Sequence, residues 1–415
     1  MELKAMIPRA SFSSCRNLYI ALTLPAVGFV AARLIVNLAS AASYAGIPNE
    51  TSIYRAPSQR LLTAAEEENV PYPPDALPGG RNVDTPYGNT RVYEWGPENG
   101  RKVLFVHGIS TPCIALARIA RQLVSKGCRV MLFDLYGRGY SDAPDPSVYR
   151  QDIKLLSSQM LSVVSSSRLN WTDGFTLAGY SLGGGIAAAF TSYYPELVQS
   201  LVLIAPGGLL RPTRISLSSK LLYSGLLPDQ LVNRIVKHKL QAGGNKPNVP
   251  KMKSVKHKLD VADAAAEELP DDNGAHGPSS ESPLFEGRGK VSPATVVAWQ
   301  TEVHDGFVPA FVSCVKWAPI HDGHEHWRTI GERCQARRSP SDEEDVLRGL
   351  KEGKVLLILG TSDAVISAKE TEEDATTALG ANNLRTVKLF GGHDLPITNS
   401  EGCARVMVDF WSGAA

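Results

Sequence analysis

Residues 174–185 read Gly-Phe-Thr-Leu-Ala-Gly-Tyr-Ser-Leu-Gly-Gly-Gly, an apolar run that enters Gly-x-Ser-x-Gly and leaves as a string of small residues. Few folded arrangements satisfy that order. The apolar run reads as a buried strand and the small residues from Leu182 onward as a closely packed helix, so the chain must turn sharply between them. Only residues lacking Cβ at Gly179 and Gly183 let neighbouring backbone approach such a turn, and the serine at its apex is strained, with its Oγ exposed. Because the helix starts at once, the Leu182 N–H and the positive helix end point to where negative charge develops on an attacked carbonyl. Ser181 is the candidate nucleophile and Leu182 a candidate oxyanion donor.

A serine presented this way needs an acid and a base that follow it in chain order. Lys354–Gly360, Lys-Val-Leu-Leu-Ile-Leu-Gly, is an apolar run suited to a strand covered on both faces, and it ends in Thr361-Ser362-Asp363. Asp363 is the candidate acid. Arg385-Thr-Val-Lys-Leu-Phe then runs into Gly391-Gly392-His393-Asp394, which sets His393, the candidate base, on a loop at a strand's carboxyl end. Asp394 reads as a loop residue, because a direct neighbour seldom turns its carboxylate back onto the same imidazole. Upstream, Val103-Leu-Phe-Val-His107-Gly108-Ile109-Ser110 ends a strand in His-Gly, where the Ile109 N–H is the candidate second oxyanion donor and His107 reads as structural. The cluster His321-Asp322-Gly-His324-Glu325-His326 matches no metal-site spacing, since i and i+2 neighbours do not share a helix face. Neither a metal nor a cofactor is read from the chain.

The carriers of these candidates recur in an alternating order. Strands are expected at 103–106, 129–135, 175–180 and 200–205, with helices at 114–126, 150–168 and 182–194, the signature of a parallel sheet with both faces covered. Together with Asp134-Leu-Tyr-Gly137-Arg-Gly139-Tyr-Ser141-Asp142, the motifs His107-Gly108, Gly179–Gly184, Asp363 and Gly392-His393 resemble those of the α/β-hydrolase fold over roughly 91–208 and 354–415. The Asp134–Asp142 stretch is similar to a structural loop in the branch that holds epoxide hydrolases, haloalkane dehalogenases, C–C bond hydrolases and small esterases. The first two attack with an aspartate where this chain has Ser181. The resemblance therefore implies acyl chemistry on an ester, thioester or lactone of small to medium apolar type. C–C cleavage, acyl transfer or tailoring of a polyketide-type product on the same three residues is the alternative, and a non-catalytic ligand-binding relative is the alternative from another class.

The expected organisation is a targeting or anchor segment at 1–46, a linker at 47–90, a core first half at 91–208, a helical cap at 209–348 inserted after the sixth strand, and a core second half at 349–415. Within the cap, 241–290 is rich in Lys, Pro, Gly, Asp, Glu and Ser and poor in large apolar groups, the composition of a disordered insertion. Trp299, Phe307, Phe311, Trp317 and Trp327 are candidates to line an acyl pocket, although packing the cap is the plainer role for any one of them. The uncharged run Leu18–Ala32 would span roughly 22 Å as a helix, short of the ~30 Å hydrocarbon core, so a full crossing has to take in Arg33. A membrane anchor, a cleaved secretory signal ending near Ala39-Ser40-Ala41 and a mitochondrial presequence all fit it. A net charge of +1 on 415 residues gives no basic field for nucleic acid. Six scattered cysteines without Cys-x-x-Cys indicate no zinc ribbon or redox motif, while leaving a Cys314–Cys334 pairing open.

Overall fold

The computed structural model describes residues 28, 31, 32, 52–59, 70–242, 284, 291–338, 350, 351 and 353–413. Eight strands form one sheet: β1 (Gly80–Thr85), β2 (Gly88–Trp95), β3 (Lys102–Val106), β4 (Arg129–Phe133), β5 (Phe175–Tyr180), β6 (Val198–Ile204), β7 (Val355–Gly360) and β8 (Leu384–Leu389). Their spatial order is β8-β7-β6-β5-β3-β4-β2-β1. Neighbours are parallel from β8 to β4, and β2 runs antiparallel to both β4 and β1. The expected mainly parallel sheet is thus present. Its central strands are continuous apolar runs because both faces are covered: every residue of β5 and β7 is buried.

Successive residues of each strand feed opposite cores. Leu104, Val106, Leu177, Leu203 and Leu357 join one buried cluster with α2 (Ile153–Ser165) and α3 (Leu182–Tyr193). Val103, Phe105, Ala178, Val202 and Ile358 join the other, with α1 (Ala117–Ser125) and the C-terminal helix Ser400–Trp411. Local signals set the helix starts. The Asp152 carboxylate accepts from the Lys154 and Leu155 amides at the head of α2, which begins three residues later than the sequence suggests.

The expected linker at 47–90 contains β1 and the start of β2 instead. With Val83 as its one apolar residue, β1 has the composition of a loop, and it forms a strand because the sheet edge asks for a single inward side chain. Tyr72, in the same stretch, is fully buried.

After β6, the sixth strand, come α4 (Leu217–Leu222), α5 (Asp229–Ala242), α6 (Pro293–Val303), α7 (Phe307–Trp317) and α8 (His324–Arg338). The helices α4 to α7 form the cap. The last helix is part of the layer on the sheet: α8 packs against α3 and α9 (Ala368–Leu379), and a Cβ at Gly331 would lie 2.3 Å from the Leu379 carbonyl oxygen. Of the expected insertion at 241–290, all but 241, 242 and 284 lies outside the described residues; Leu284 is buried with Tyr72 and Val296. The N-terminal segment at 1–46 likewise lies outside them apart from Gly28, Ala31 and Ala32, and among the described residues no helix is long and apolar enough to cross a membrane. Cys314 and Cys334 are both buried and form no disulfide with one another.

Candidate active site

The turn after β5 is built from backbone contacts. Ser181 sits at φ 52°, ψ −121°, a strained conformation for a residue with Cβ that costs on the order of 1–3 kcal/mol. Neighbouring backbone holds it there: the Ser181 amide donates to the Ile204 carbonyl at 3.1 Å, and its own carbonyl accepts from the Gly184 and Gly207 amides at 2.9 and 2.7 Å. A Cβ at Gly179 would come within 2.2 Å of the Gly183 carbonyl oxygen, and one at Gly183 within 2.1 Å of the Val106 carbonyl oxygen. The second contact also fixes what lies beside the turn. Because Val106 pairs with Gly179 in register, the loop after β3 leaves the sheet at the same end as the turn, and Ile109 shares a buried apolar cluster with Leu182, the first residue of α3.

His393 reaches Ser181 from the end of β8. Its Nε2 lies 2.9 Å from Ser181 Oγ and its Nδ1 2.9 Å from Asp363 Oδ2. A carboxylate only accepts, so Nδ1 carries the ring proton and Nε2 is left as the acceptor for the serine hydroxyl. The other Asp363 oxygen, Oδ1, accepts from the Val365 and Ile366 amides at 2.8 and 2.7 Å, which locks the carboxylate plane. The two loops are clipped to each other by Ser362, whose amide and hydroxyl both donate to the Gly391 carbonyl, at 3.0 and 2.9 Å. Ser181 is 8% exposed and His393 4%, so the whole chain of hydrogen bonds works out of bulk water.

The loop that carries Ile109 is pinned through its carbonyls. His107 is fully buried; its Nε2 accepts from the Leu135 amide at 2.9 Å, so Nδ1 is the protonated nitrogen and donates to the Gly108 carbonyl at 2.8 Å. Since a peptide unit is planar, with N–H opposite C=O, that bond also sets the direction of the Ile109 N–H. Arg138 Nε donates to the Ile109 carbonyl at 3.1 Å, and Gln300 Nε2, from α6, donates to the Ser110 carbonyl. Sequence reasoning passed over Arg138 and Gln300. Arg138 lies between Gly137 and Gly139 in the quoted motif, and Gln300 is a lone amide in the apolar stretch Val-Val-Ala-Trp-Gln; either oddity was a signal.

Beneath this loop Asp134 is fully buried, which pushes its carboxyl up, while the Tyr140 and Cys113 amides and the Tyr72 hydroxyl act in the opposite direction by donating to it. It holds the loops together from within the fold. His304 donates through Nε2 to the Ser141 carbonyl at 2.9 Å and accepts at Nδ1 from the Gly306 amide, and burial holds its pKa below the ordinary histidine value. Two other histidines have partners elsewhere: His326 Nδ1 meets Ser192 Oγ and His321 Nδ1 meets Asp322. Of the candidate pocket aromatics, Trp299 packs on Tyr72 and Tyr140, Phe307 on Phe311, and Trp327 is buried in α8; Trp317 is exposed beneath the Arg150 guanidinium.

Comparison with known proteins follows the same outline. Residues 97–267 match a family profile described as serine aminopeptidase, S33. A serine hydrolase-like protein of Danio rerio is 32% identical over 135 residues, which is 32% of this chain and 39% of that protein. The chain spans about two fifths of the length of the curated relatives it matches. Among solved structures, a membrane phospholipase A described as a bacterial virulence factor aligns over 97% of this chain and 98% of its own at 17% identity and a TM-score of 0.52. The enol-lactonase of Burkholderia xenovorans aligns over 80% of this chain and all of its own at 14% identity and a TM-score of 0.51. Both share the fold.

Proposed function

We propose that this chain, which has the α/β-hydrolase fold, is a serine hydrolase that cleaves an ester, thioester or lactone bond through an acyl enzyme on Ser181. The observation that carries this reading is the unbroken run from Ser181 Oγ through His393 to Asp363, 2.9 Å at each step and nearly closed to solvent. In the proposed cycle His393 Nε2 takes the Ser181 proton as Oγ attacks the carbonyl carbon, and Asp363 stabilises the imidazolium. The Ile109 and Leu182 amides receive the oxyanion, a contribution commonly worth 10²–10³ in rate for each donor. Collapse of the tetrahedral intermediate breaks the carbon–heteroatom bond, and His393 returns the proton to the leaving group. Water, deprotonated by His393, then repeats the attack on the acyl carbon and frees Ser181.

The apolar side chains of the two proposed donor residues favour an apolar acyl group. Ile109 and Leu182 belong to one buried apolar cluster with Leu209, Phe307 and Phe311. The test is turnover by the full chain of p-nitrophenyl esters of two to twelve carbons, of acyl thioesters and of lactones, each against Ser181→Ala. Turnover on at least one class that vanishes in the variant is expected; turnover unchanged in Ser181→Ala would overturn the proposal. The N-terminal apolar run reads as a tether to a membrane or the secretory pathway, with mitochondrial targeting the alternative. Fractionation of cells expressing a carboxyl-terminal fluorescent fusion separates these fates.

A further inference from the structure

We propose that Gln300, a residue of the cap, is a positioning residue for the oxyanion loop, so that seating of the cap and readiness of the catalytic centre are one event. This rests on the hydrolase reading above.

Gln300 is fully buried and uses both ends of its amide. Nε2 donates to the Ser110 carbonyl, and Oε1 accepts from the Gly139 amide at 3.2 Å. These partners lie in the two loops that flank the site, one carrying Ile109 and the other belonging to the Asp134–Asp142 motif. Because Arg138 already holds the Ile109 carbonyl, the Gln300 bond fixes the second of two successive peptide planes, and with both held Ser110 cannot rotate. The Gly108–Ile109 plane, which carries the proposed donor, is thereby held from its carboxyl side as His107 holds it from the other.

The arrangement requires an amide of this length. A carboxylate would keep the acceptor for Gly139 and set an oxygen against the Ser110 carbonyl; a thioether would fill the space and make neither bond. The frame behind Gln300 is itself firm. Helix α6 starts with a reciprocal Ser292–Thr295 capping box and Pro293 in its first turn, and the adjacent Trp299 packs edge-on against Tyr72 and tilted against Tyr140.

The experiment compares wild type, Gln300→Met, Gln300→Glu and Thr295→Val in the full chain. Thr295→Val removes the capping box from the same helix and touches neither loop. Each is measured for kcat and KM on the best ester, for the rate of phosphonylation by a fluorophosphonate, and for the affinity of a trifluoromethyl ketone, which forms a tetrahedral adduct on a serine. Both Gln300 variants should lose roughly 10–100-fold in kcat and in ketone affinity, with KM changed less than threefold and the pH midpoint of kcat unmoved; Thr295→Val should stay within threefold of wild type throughout. The proposal is overturned if the Gln300 variants react with the phosphonate as fast as wild type, if their loss lies in KM alone, or if Thr295→Val loses as much as they do. A wild-type chain inert to every probe would remove the hydrolase reading and this one with it, whereas a reactive wild type with equally reactive Gln300 variants removes this one alone.

Discussion

The turn at Ser181 and the cap above it are held by different kinds of contact. At the turn, backbone meets backbone: the Ser181 carbonyl accepts two amides, and Gly179 and Gly183 lie where no Cβ fits. In the cap, side chains reach across to the core: Gln300 to Ser110 and Gly139, His304 to Ser141, Ser313 to the Gln151 amide, Arg211 to Asp374 and Arg214 to Glu370. The first kind fixes atoms to within a hydrogen bond and tolerates one residue type at each glycine. The second depends on pairs far apart in the chain, each of which responds to substitution or to pH. The turn that holds Ser181 is therefore rigid by construction, and the cap is joined to the core by adjustable pairs.

The strongest way to sharpen this contrast is at the nucleophile. Ser181→Ala should retain the fold and lose on the order of 10⁴–10⁶ in kcat, read by steady-state kinetics alongside the melting temperature. Asp363→Asn keeps the shape of the acid and gives up the charge that orients His393; a loss of about 10²–10⁴ in kcat with KM little changed is expected, and a loss confined to KM would contradict the role assigned to it.

Adding a single methyl group tests the backbone side directly. In Gly183→Ala the new Cβ meets the Val106 carbonyl oxygen at 2.1 Å with backbone on both sides, so destabilisation of about 3 kcal/mol or more, or failure to accumulate as soluble protein, should appear in denaturant titration. A fully stable and active Gly183→Ala would break the comparison.

The cap side is tested by pH. Burial depresses the His304 pKa, so the unfolded chain binds the proton more readily than the folded one, and the stability His304 contributes is present above the ordinary value of 6.5 and lost as pH falls below it. The slope from one such group is at most ~1.4 kcal/mol per pH unit. Wild type should lose stability between pH 6.5 and 5 with an excess that His304→Gln lacks; equal slopes in the two proteins would remove His304 from this account. At the small end, Leu217→Ser on the exposed face of α4, where Leu217 is 73% accessible, should change stability by less than about 0.5 kcal/mol.

The same contrast explains what could be read from the sequence. Ser181, Asp363 and His393 were legible because each follows an apolar strand and adjoins a glycine or a loop of the right kind; the structure brings all three into hydrogen-bond contact. The sheet was legible from Phe175–Tyr180 and Val355–Gly360, which are apolar at nearly every position because both faces are buried. The edge was not: β1 carries one apolar residue, and only pairing with β2 makes it a strand. Nor was the division of 209–348, because α8 is settled by Gly331 meeting Leu379 in a helix that follows much later. Gln300 and His304 escaped for the same reason, their roles being defined by partners more than 150 residues away.

The central claim is that Ser181 is a nucleophile activated by His393. Intact-mass analysis of the full chain after exposure to a fluorophosphonate, beside Ser181→Ala and His393→Ala, tests it most directly. One adduct is expected on the wild type, none on Ser181→Ala, and a strongly slowed reaction with His393→Ala. An equal adduct on Ser181→Ala, or no adduct on a wild type shown to be folded, would contradict it.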